Sequence, residues 1–532
     1  MPKRSSSGYL SVPSKKRRRL AGDFAAFNPE YDVANSQAPA TDSIINATSV
    51  STRPPQRRRA ATPSLASLAS KRFAFYFSTL LGSEENQRHA AQYLRILPDT
   101  ILARLVDDLK KYRPTFMSNG FISAYFLRPP SVALDSTLTG VNKHTITGIQ
   151  RAGSQLTSLS LRGFDKFSDA TFASIFPSLP CLETLVLKGC TKVGERTVGA
   201  ITKSCHQLRV VNLNHTTPTA ASLGRLLVSC KKLEVFKIAA VPKIASDLPN
   251  RFLIYDDWRL FQTPQFLASL ARSEPGIVST CLTSLKLRYI ATPDLPLISL
   301  LGHFPALRRL DASFTKVTSL SPSRFLEHPI RPLSLPDLEK LNLTAIPLKP
   351  GSAGLVHFVA NFPSLRTLSI GGIGGQENPT ILRDRDLALL TSRLSGESSN
   401  AWPPVRVPLE NVNLAGNSRL EGPALQYFVR KLGRYCRELN LASLKGVTSD
   451  TLEGLLPQPD TPPPHARIAS ENDAYPEEWD DNTSCLEHLN LASTSVDDGA
   501  VPFISSCRRL RSLNISKTKI SSEITAPRLC LV

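Results

Sequence analysis

Between Leu156 and Ile515 one short alternation of apolar and polar positions, LxxLxL, returns twelve times. It reads LTSLSL at 156, LETLVL at 182, LRVVNL at 208, LEVFKI at 233, LTSLKL at 282, LRRLDA at 307, LEKLNL at 338, LRTLSI at 365, LENVNL at 409, CRELNL at 436, LEHLNL at 486 and LRSLNI at 510. The last two apolar positions are two residues apart, so they share one face of a short strand and the residue between them faces the other way. Measured at the middle apolar residue, Leu159, Leu185, Val211 and Phe236 are spaced by 26, 26 and 25 residues, and Leu285 to Leu310 is again 25. The step of 49 residues from Phe236 to Leu285 predicts a degenerate copy between them.

A second apolar series follows each strand. Leu185, Leu187, Cys190, Val193, Val198 and Ile201 in one copy match Leu439, Leu441, Leu444, Val447, Leu452 and Leu455 in another, and the last members fall near helical spacing. One strand and one helix cannot bury their apolar faces alone, whereas stacked copies share a continuous core. The expected fold is an α/β solenoid, a horseshoe with parallel strands on its concave face and helices on its convex face. The stretch LKGCTKVGERTVGAITKSCHQLRVVNL is similar to the cysteine-containing leucine-rich repeat of F-box proteins, within the ribonuclease-inhibitor-like group. That unit ends in a Cys three residues before the next strand leucine, a place held by Cys205, Cys230 and Cys507, and Cys190 holds the other Cys position. The resemblance implies a protein-binding leucine-rich-repeat domain over 145–520, ahead of a C-terminal end at 521–532. Some units carry Phe304-Pro305 or Phe362-Pro363 where the Cys is expected, and Pro-rich insertions interrupt the array near 241–280, 371–408 and 456–484.

Ahead of the array, LPDTILARLVDDL at 97–109 places apolar residues at 101, 102, 105 and 109 of a helix. It resembles the opening of an F-box, LPxxILxxIxxxL, which in that family docks onto a small adaptor of a cullin-type (Skp–cullin–F-box) ubiquitin ligase while the repeats hold the substrate. The resemblance assigns docking to Leu97, Pro98, Ile101, Leu102, Leu105 and Leu109. The Cys and Trp that complete an F-box are missing from the KKYRPTFMSNGFISAYFLRPP that follows. A solenoid must also cover the apolar end of its first repeat, and a helical cap within 71–144, with Phe73, Phe75, Phe77, Leu80 and Leu81, answers that need. Both readings bury Leu102 and Leu105; a contiguous exposed apolar face favours docking.

Charge changes the picture at the N-terminus. Residues 1–72 hold 13 Lys or Arg against 4 Asp or Glu, so +9 of the formal +20 sits there. Residues 1–70 are rich in Ser, Pro, Ala and Arg and too poor in large apolar side chains to offset the entropy of ordering, which predicts disorder. Lys3 and Arg4 precede Lys15, Lys16, Arg17, Arg18 and Arg19 by ten residues, and a further triplet stands at Arg57-Arg58-Arg59. The two spaced clusters resemble a bipartite nuclear-localisation signal read by an import receptor. The expected location is the nucleus, with the cytoplasm as the alternative. Interleaved aromatics for stacking on bases are lacking in the tail, which argues against nucleic acid as its partner. No apolar run approaches the roughly 18 residues that span a bilayer, and no signal-peptide core opens the chain. Nine single cysteines without a CxxC read as free buried thiols rather than disulfide or zinc sites.

The concave face is the expected binding surface. Its central column reads Ser160, Val186, Asn212, Lys237, Lys286, Asp311, Asn342, Ser369, Asn413, Asn440, Asn490 and Asn514, six of twelve being Asn. Positions two residues away add Arg162, Lys188, Asn214, Arg288 and Arg309. Partner contact is therefore expected at Arg162, Lys188, Asn212, Lys237, Lys286, Arg288, Arg309, Asn342, Asn413, Asn440 and Asn490. Lys and Arg fixed on a sheet attract an acidic or phosphorylated segment of a protein substrate or partner; a merely soluble face carries charge too. The acidic insertion at 471–481 could compete for the same face from within the chain. HExxH, GxSxG, Walker and DxDxDG motifs are missing, and Gly371-Gly372-Ile373-Gly374-Gly375 lacks the ending of a phosphate cradle and reads as a loop. No catalysis, metal or cofactor is expected. A noncatalytic nuclear scaffold or inhibitor is the alternative to a ligase subunit, and a nucleic-acid binder ranks third.

Overall fold

The computed structural model describes residues 64–80, 82–240, 279–289, 301, 304–315, 320, 337–348, 353–373, 382–397, 407–456 and 484–521. The basic clusters of the tail, the acidic insertion at 471–481 and Gly374-Gly375 lie outside the described residues.

Every motif copy forms a strand. In order these are β2 (Ser158–Arg162), β3 (Thr184–Val186), β4 (Val210–Asn212), β5 (Val235–Lys237), β6 (Ser284–Lys286), β7 (Arg309–Asp311), β8 (Lys340–Asn342), β9 (Thr367–Ser369), β10 (Asn411–Asn413), β11 (Glu438–Asn440), β12 (His488–Asn490) and β13 (Ser512–Asn514). One more strand, β1 (Ser131–Asp135), precedes them and pairs with β2 from Ser131↔Ser158 to Asp135↔Arg162. Among the described residues these make one open parallel sheet of thirteen strands in sequence order. The chain is a leucine-rich-repeat solenoid.

Burial follows the motif. From Leu159 to Leu489 the middle apolar residue of each strand is at most 3% exposed. In the last strand Leu513 is only half-buried, as no further strand of the sheet covers it among the described residues. Helices on the far side close the core: α5 (Lys143–Gly148), α6 (Asp169–Ala173), α7 (Glu195–Ser204), α8 (Ala220–Ser229), α9 (Ala353–Ala360), α10 (Asp384–Leu394), α11 (Gly422–Lys431) and α12 (Val501–Ser505). Val198 and Ile201 face inward from α7, as their spacing predicts, whereas Leu452 and Leu455 lie on a tighter 3-10 turn, Asp450–Leu455. Neighbouring units are also tied by side chains. Asp169 accepts from the backbone N–H groups of Gly194 (2.9 Å), Arg196 (3.0 Å) and Thr197 (3.0 Å), placing a carboxylate at the positive end of α7.

The expected degenerate copy between Phe236 and Leu285 falls on 241–278, outside the described residues. β5 pairs directly with β6, Phe236 opposite Leu285. The steps from Leu368 to Val412 and from Leu439 to Leu489 are bridged in the same way. An insertion between strands costs only loop-closure entropy, which grows slowly with length.

A backbone feature recurs in all twelve motif units. The third residue after the central concave position has positive φ: Gly163, Gly189, His215, Ala240, Tyr289, Phe314, Ala345, Gly372, Gly416, Ser443, Ser493 and Lys517 lie between 51° and 77°. Eight of these are not glycine, at a cost on the order of 1 kcal/mol each. The conformation is held by a ladder of hydrogen bonds to the next unit, such as Ala240 N–H to Arg288 O (2.8 Å), Tyr289 N–H to Ser313 O (3.2 Å) and Phe314 N–H to Thr344 O (2.9 Å). Gly371 and Gly372 belong to this turn rather than to a loose loop. A Cβ on Gly371 would stand 2.8 Å from Ala415 O.

The first end of the sheet is covered by α1 (Leu65–Leu80), α2 (Glu84–Ile96), α3 (Asp99–Tyr112) and α4 (Asn119–Tyr125). Phe77, Leu94, Leu102, Leu105, Leu109, Ile122 and Phe126 continue the core from Val132 and Leu134. Buried Ser70 donates to Asp108 at 2.6 Å, and Lys110 pairs with Asp135 at 2.7 Å, fixing α3 to α1 and β1. Arg113 donates to Phe75 O, and Arg128 to the carbonyls of Leu94, Arg95 and Leu97.

Candidate functional site

Each strand presents three concave positions: the first strand residue, the central residue two further on, and a third two beyond that. Register makes these into columns across the sheet. The first column runs Val235, Ser284, Arg309, Lys340, the central one Lys237, Lys286, Asp311, Asn342. Adjacent members of a column stand one strand spacing apart, about 4.8 Å. Lys286 is therefore ringed by Lys237 on one side, Asp311 on the other, and Arg288 two residues along its own strand. Among the described residues of β5–β8 and their third column, five cations (Lys237, Lys286, Arg288, Arg309, Lys340) face one carboxylate (Asp311).

The carboxylate is partly committed. Asp311 Oδ1 accepts from Ser313 N–H at 3.1 Å and from its hydroxyl at 2.6 Å, while Oδ2 stands 3.8 Å from Lys286 Nζ, beyond hydrogen-bond range. The Lys286 side chain is 11% exposed. Burial above all, against the attraction of Asp311 and with like charge from Lys237, Arg288 and Lys340, pushes its ammonium pKa down from 10.5 to about 8. Arg288 is 8% exposed and braced by two rings. Its guanidinium carbon lies 4.8 Å from the Tyr289 centroid and 5.0 Å from that of Phe314, and Nη2 donates to the Tyr289 hydroxyl at 3.3 Å. The two rings stack at 4.5 Å with planes 20° apart. His215, on the same rim two units earlier, has its pKa lowered by burial and then by Lys188 and Arg288.

The other sequence-predicted residues take different places. Arg162 and Lys188 lie half-buried on β2 and just after β3, and Arg162 Nε donates to Ser160 at 3.2 Å. The Asn column folds back on its own backbone. Oδ1 of Asn212, Asn342, Asn413, Asn440, Asn490 and Asn514 accepts from the N–H two residues on, at 3.0–3.1 Å. Asn212, Asn413, Asn440 and Asn490 are 2–8% exposed, so each closes the end of its strand before it can serve any partner. The Nδ2 donors of Asn413 and Asn440 have no hydrogen-bond partner. Lys340, Tyr289 and Phe314 were missed by the sequence reading. Lys340 follows from the rule that gave Arg309, two residues upstream of the central column.

A second charged feature was also missed. The residue after the first motif leucine alternates in sign, giving Arg209–Glu234 (2.7 Å), Arg308–Glu339 (2.9 Å), Arg366–Glu410 (2.6 Å), and Glu487 between Arg437 (3.2 Å) and Arg511 (3.3 Å). This column neutralises itself and adds nothing to the basic patch.

In the cap, Leu102, Leu105 and Leu109 face the core at 5%, 2% and 0% exposure, which removes them from any docking surface in this conformation. Leu97 and Ile101 are half-buried and Pro98 is exposed. Exposed large apolar side chains gather instead on α1 (Leu65, Leu68, Phe75, Tyr76) and α2 (Tyr93, Ile96). The described cysteines are free: Cys190, Cys205, Cys230, Cys436 and Cys507 are buried as expected, Cys485 is half-buried, and Cys181 and Cys281 are exposed. Among the described residues no His, Cys, Asp and Glu group is placed to hold a metal, and no helix is long and apolar enough to cross a membrane.

No protein-family model matches the sequence, and the search of curated proteins found no match. Solved structures do resemble the fold, and they are leucine-rich-repeat proteins. Rad7 in complex with Elc1, from yeast, is 16% identical with a TM-score of 0.47, over 89% of this chain and 98% of its own. An internalin from Listeria monocytogenes is 14% identical with a TM-score of 0.38, over 75% of this chain and 89% of its own. A leucine-rich-repeat protein from Leptospira interrogans is 13% identical with a TM-score of 0.36, over 81% of this chain and 90% of its own.

Proposed function

We propose that this solenoid is a noncatalytic protein-recognition module that takes an acidic or phosphorylated segment of a partner on the concave face of β5–β8. The carrying observation is the register of the concave sheet, which sets Lys286 and Arg288, both nearly buried, beside Lys237, Arg309 and Lys340 on adjacent strands. Groups fixed in that way lose little further entropy on binding. The test is recovery of partners on immobilised full-length chain and on Arg309→Glu/Lys340→Glu, which changes two exposed side chains. Partners lost from the variant support the reading, and an unchanged set contradicts it.

A second reading concerns the cap. Leu65, Leu68 and Phe75 follow one face of α1, with Tyr76 beside it, so an apolar stripe remains open after Leu102, Leu105 and Leu109 are committed to the core. This supports docking of a cullin-ligase adaptor, which would make the repeats a substrate-recognition subunit; a nuclear scaffold or inhibitor is the reading if no adaptor binds. Direct mixing with purified adaptor, using wild type and Leu68→Asp/Phe75→Asp, separates them. Nuclear import by Lys3, Arg4 and Lys15 to Arg19 is part of the same proposal. Deleting residues 1–20 from a fluorescent fusion should then redistribute it to the cytoplasm.

A further inference from the structure

Helix α1 closes the first end of the solenoid with one face and leaves the other open. Ser70, Ala74 and Phe77 are buried, while Leu65, Leu68, Arg72, Phe75 and Tyr76 fall within about 100° on the opposite side of the helix. Four of these five are large apolar or aromatic side chains left exposed. Such a stripe is what a second apolar segment covers. Cations edge it. Arg72 lies 5.6 Å from the Tyr76 ring and Arg113 lies 5.9 Å from the Phe75 ring. Lys111 stands over Tyr112, whose ring meets Phe75 edge-on, and Arg104 donates to Ser64 at the start of α1. Among the described residues none of Lys71, Arg72, Arg104, Lys111 and Arg113 is paired with a carboxylate, and α3 sets only the exposed Asp107 against them.

The chain itself carries a segment of the complementary kind. Ser64 is the first described residue, so residues 1–63, which lie outside the described ones, lead directly into the stripe. Their charge is segregated. Every Lys and Arg stands at or before Arg19 or at or after Arg53, and the block between, 20–52, holds Asp23, Glu30, Asp32 and Asp42 with no base. The same block holds Phe24, Phe27 and Tyr31, three of the four aromatic residues ahead of Ser64. We infer that residues 23–32, DFAAFNPEYD, dock on the exposed stripe of α1 in the same chain. Phe24, Phe27 and Tyr31 then cover the apolar positions, and Asp23, Glu30 and Asp32 answer the cations. The flanking basic clusters are repelled by those cations, which selects this block of the tail. Residues 33–63 reach at most about 100 Å when extended, against about 24 Å for α1, so the whole helix lies within range. Such a tether sets an effective concentration on the order of millimolar, and a weak fit therefore suffices for occupancy within one chain. Tail docking is independent of the concave face. Its consequence rests on the adaptor reading above: tail and adaptor compete for Leu68 and Phe75.

The test places benzoylphenylalanine at Leu68 of the full-length chain, irradiates a mixture of isotopically light and heavy protein, and maps the adducts by mass spectrometry. Adducts to residues 20–52 are expected, light with light and heavy with heavy. Phe24→Asp/Phe27→Asp, which leaves every described residue unchanged, should reduce their yield at least fivefold. Adducts between light and heavy chains put a second copy on the stripe and overturn the docking. So does a lack of adducts to 20–52, or a yield that the double variant leaves unchanged. Purified adaptor supplies the second arm and should bind the double variant several-fold tighter than wild type. Equally tight binding to both overturns the docking and leaves the adaptor reading standing. If the adaptor binds neither while the intrachain adduct forms and responds to the variant, the docking stands and the adaptor reading fails.

Discussion

Replacing Lys286 by Met should stabilise the protein at neutral pH. Burial, with Lys237, Arg288 and Lys340 nearby, pulls the ammonium pKa from 10.5 to about 8. A fall of that size is worth about 3 kcal/mol against the folded state at pH 7, at roughly 1.36 kcal/mol per tenfold change in acidity. Met keeps the length of the side chain and removes its charge, and Asp311 keeps its two bonds to Ser313. The Lys286–Asp311 attraction is already contained in that net fall, and imperfect packing of the new side chain takes back part of the gain, so the expected stabilisation is about 1–3 kcal/mol. The sign with pH follows from linkage. Because the folded pKa lies below the unfolded one, the penalty is full below pH 8 and fades as pH rises from about 8 toward 10.5. Urea unfolding followed by circular dichroism at pH 7 and pH 10 measures this as the difference in midpoint between variant and wild type. A repeat array need not unfold in one step, and comparison of midpoints at matched pH avoids assuming that it does. A variant less stable than wild type at pH 7, or an advantage that does not shrink at pH 10, refutes the reasoning.

Asn417 is 1% exposed, accepts from Ile373 N–H at 3.0 Å and donates to Ile370 O (3.0 Å) and Leu414 O (2.8 Å). Asn417→Ala leaves three buried backbone groups unsatisfied and should cost about 2–4 kcal/mol, read as a lowered urea midpoint. Maleimide labelling of native protein at pH 8 should modify Cys181 and Cys281 promptly. Cys190 and Cys205, whose thiols burial pushes up to about 12, and Cys230, pushed up to about 11, should label only on unfolding; mass spectrometry of tryptic peptides distinguishes them. Arg366→Glu, opposite Glu410, should destabilise by about 0.5–1 kcal/mol at low salt, and the swap Arg366→Glu/Glu410→Arg should restore most of it.

The strands were legible because alternation is a local property: two apolar residues at i and i+2, with leucine ahead of them, suffice to orient Leu159 or Leu489. β1 was not, since Val132 and Leu134 alternate in the same way but no motif leucine precedes them. The positive-φ ladder is written in no residue type, as Gly, His, Ala, Tyr, Phe, Ser and Lys all occupy it; backbone bonds between units impose it, and those depend on stacking. The Asn column shows the limit of reading direction alone. Asn413 lies on the concave side as alternation predicts, yet its carbonyl turns back onto Ala415 N–H, which depends on reach and not on face. The basic patch was read in outline because charge and register are both local to each strand. Its bracing by Tyr289 and Phe314 was hidden, because those rings meet only when two units stack. Along α3 the pattern marked an apolar face and could not say whether the core or a partner covers it; packing against Phe77, Val132 and Leu134 gave that face to the core.

The most direct test of recognition on the concave face is site-specific photocrosslinking in cells, with benzoylphenylalanine placed singly at Ser284 or Thr367 on the concave strands and at Lys203 or Arg225 on the convex helices. Partner adducts are expected from Ser284 and Thr367 that disappear when Arg309→Glu/Lys340→Glu is added, and none from Lys203 or Arg225. Adducts confined to the convex positions, or concave adducts indifferent to the double variant, would contradict it.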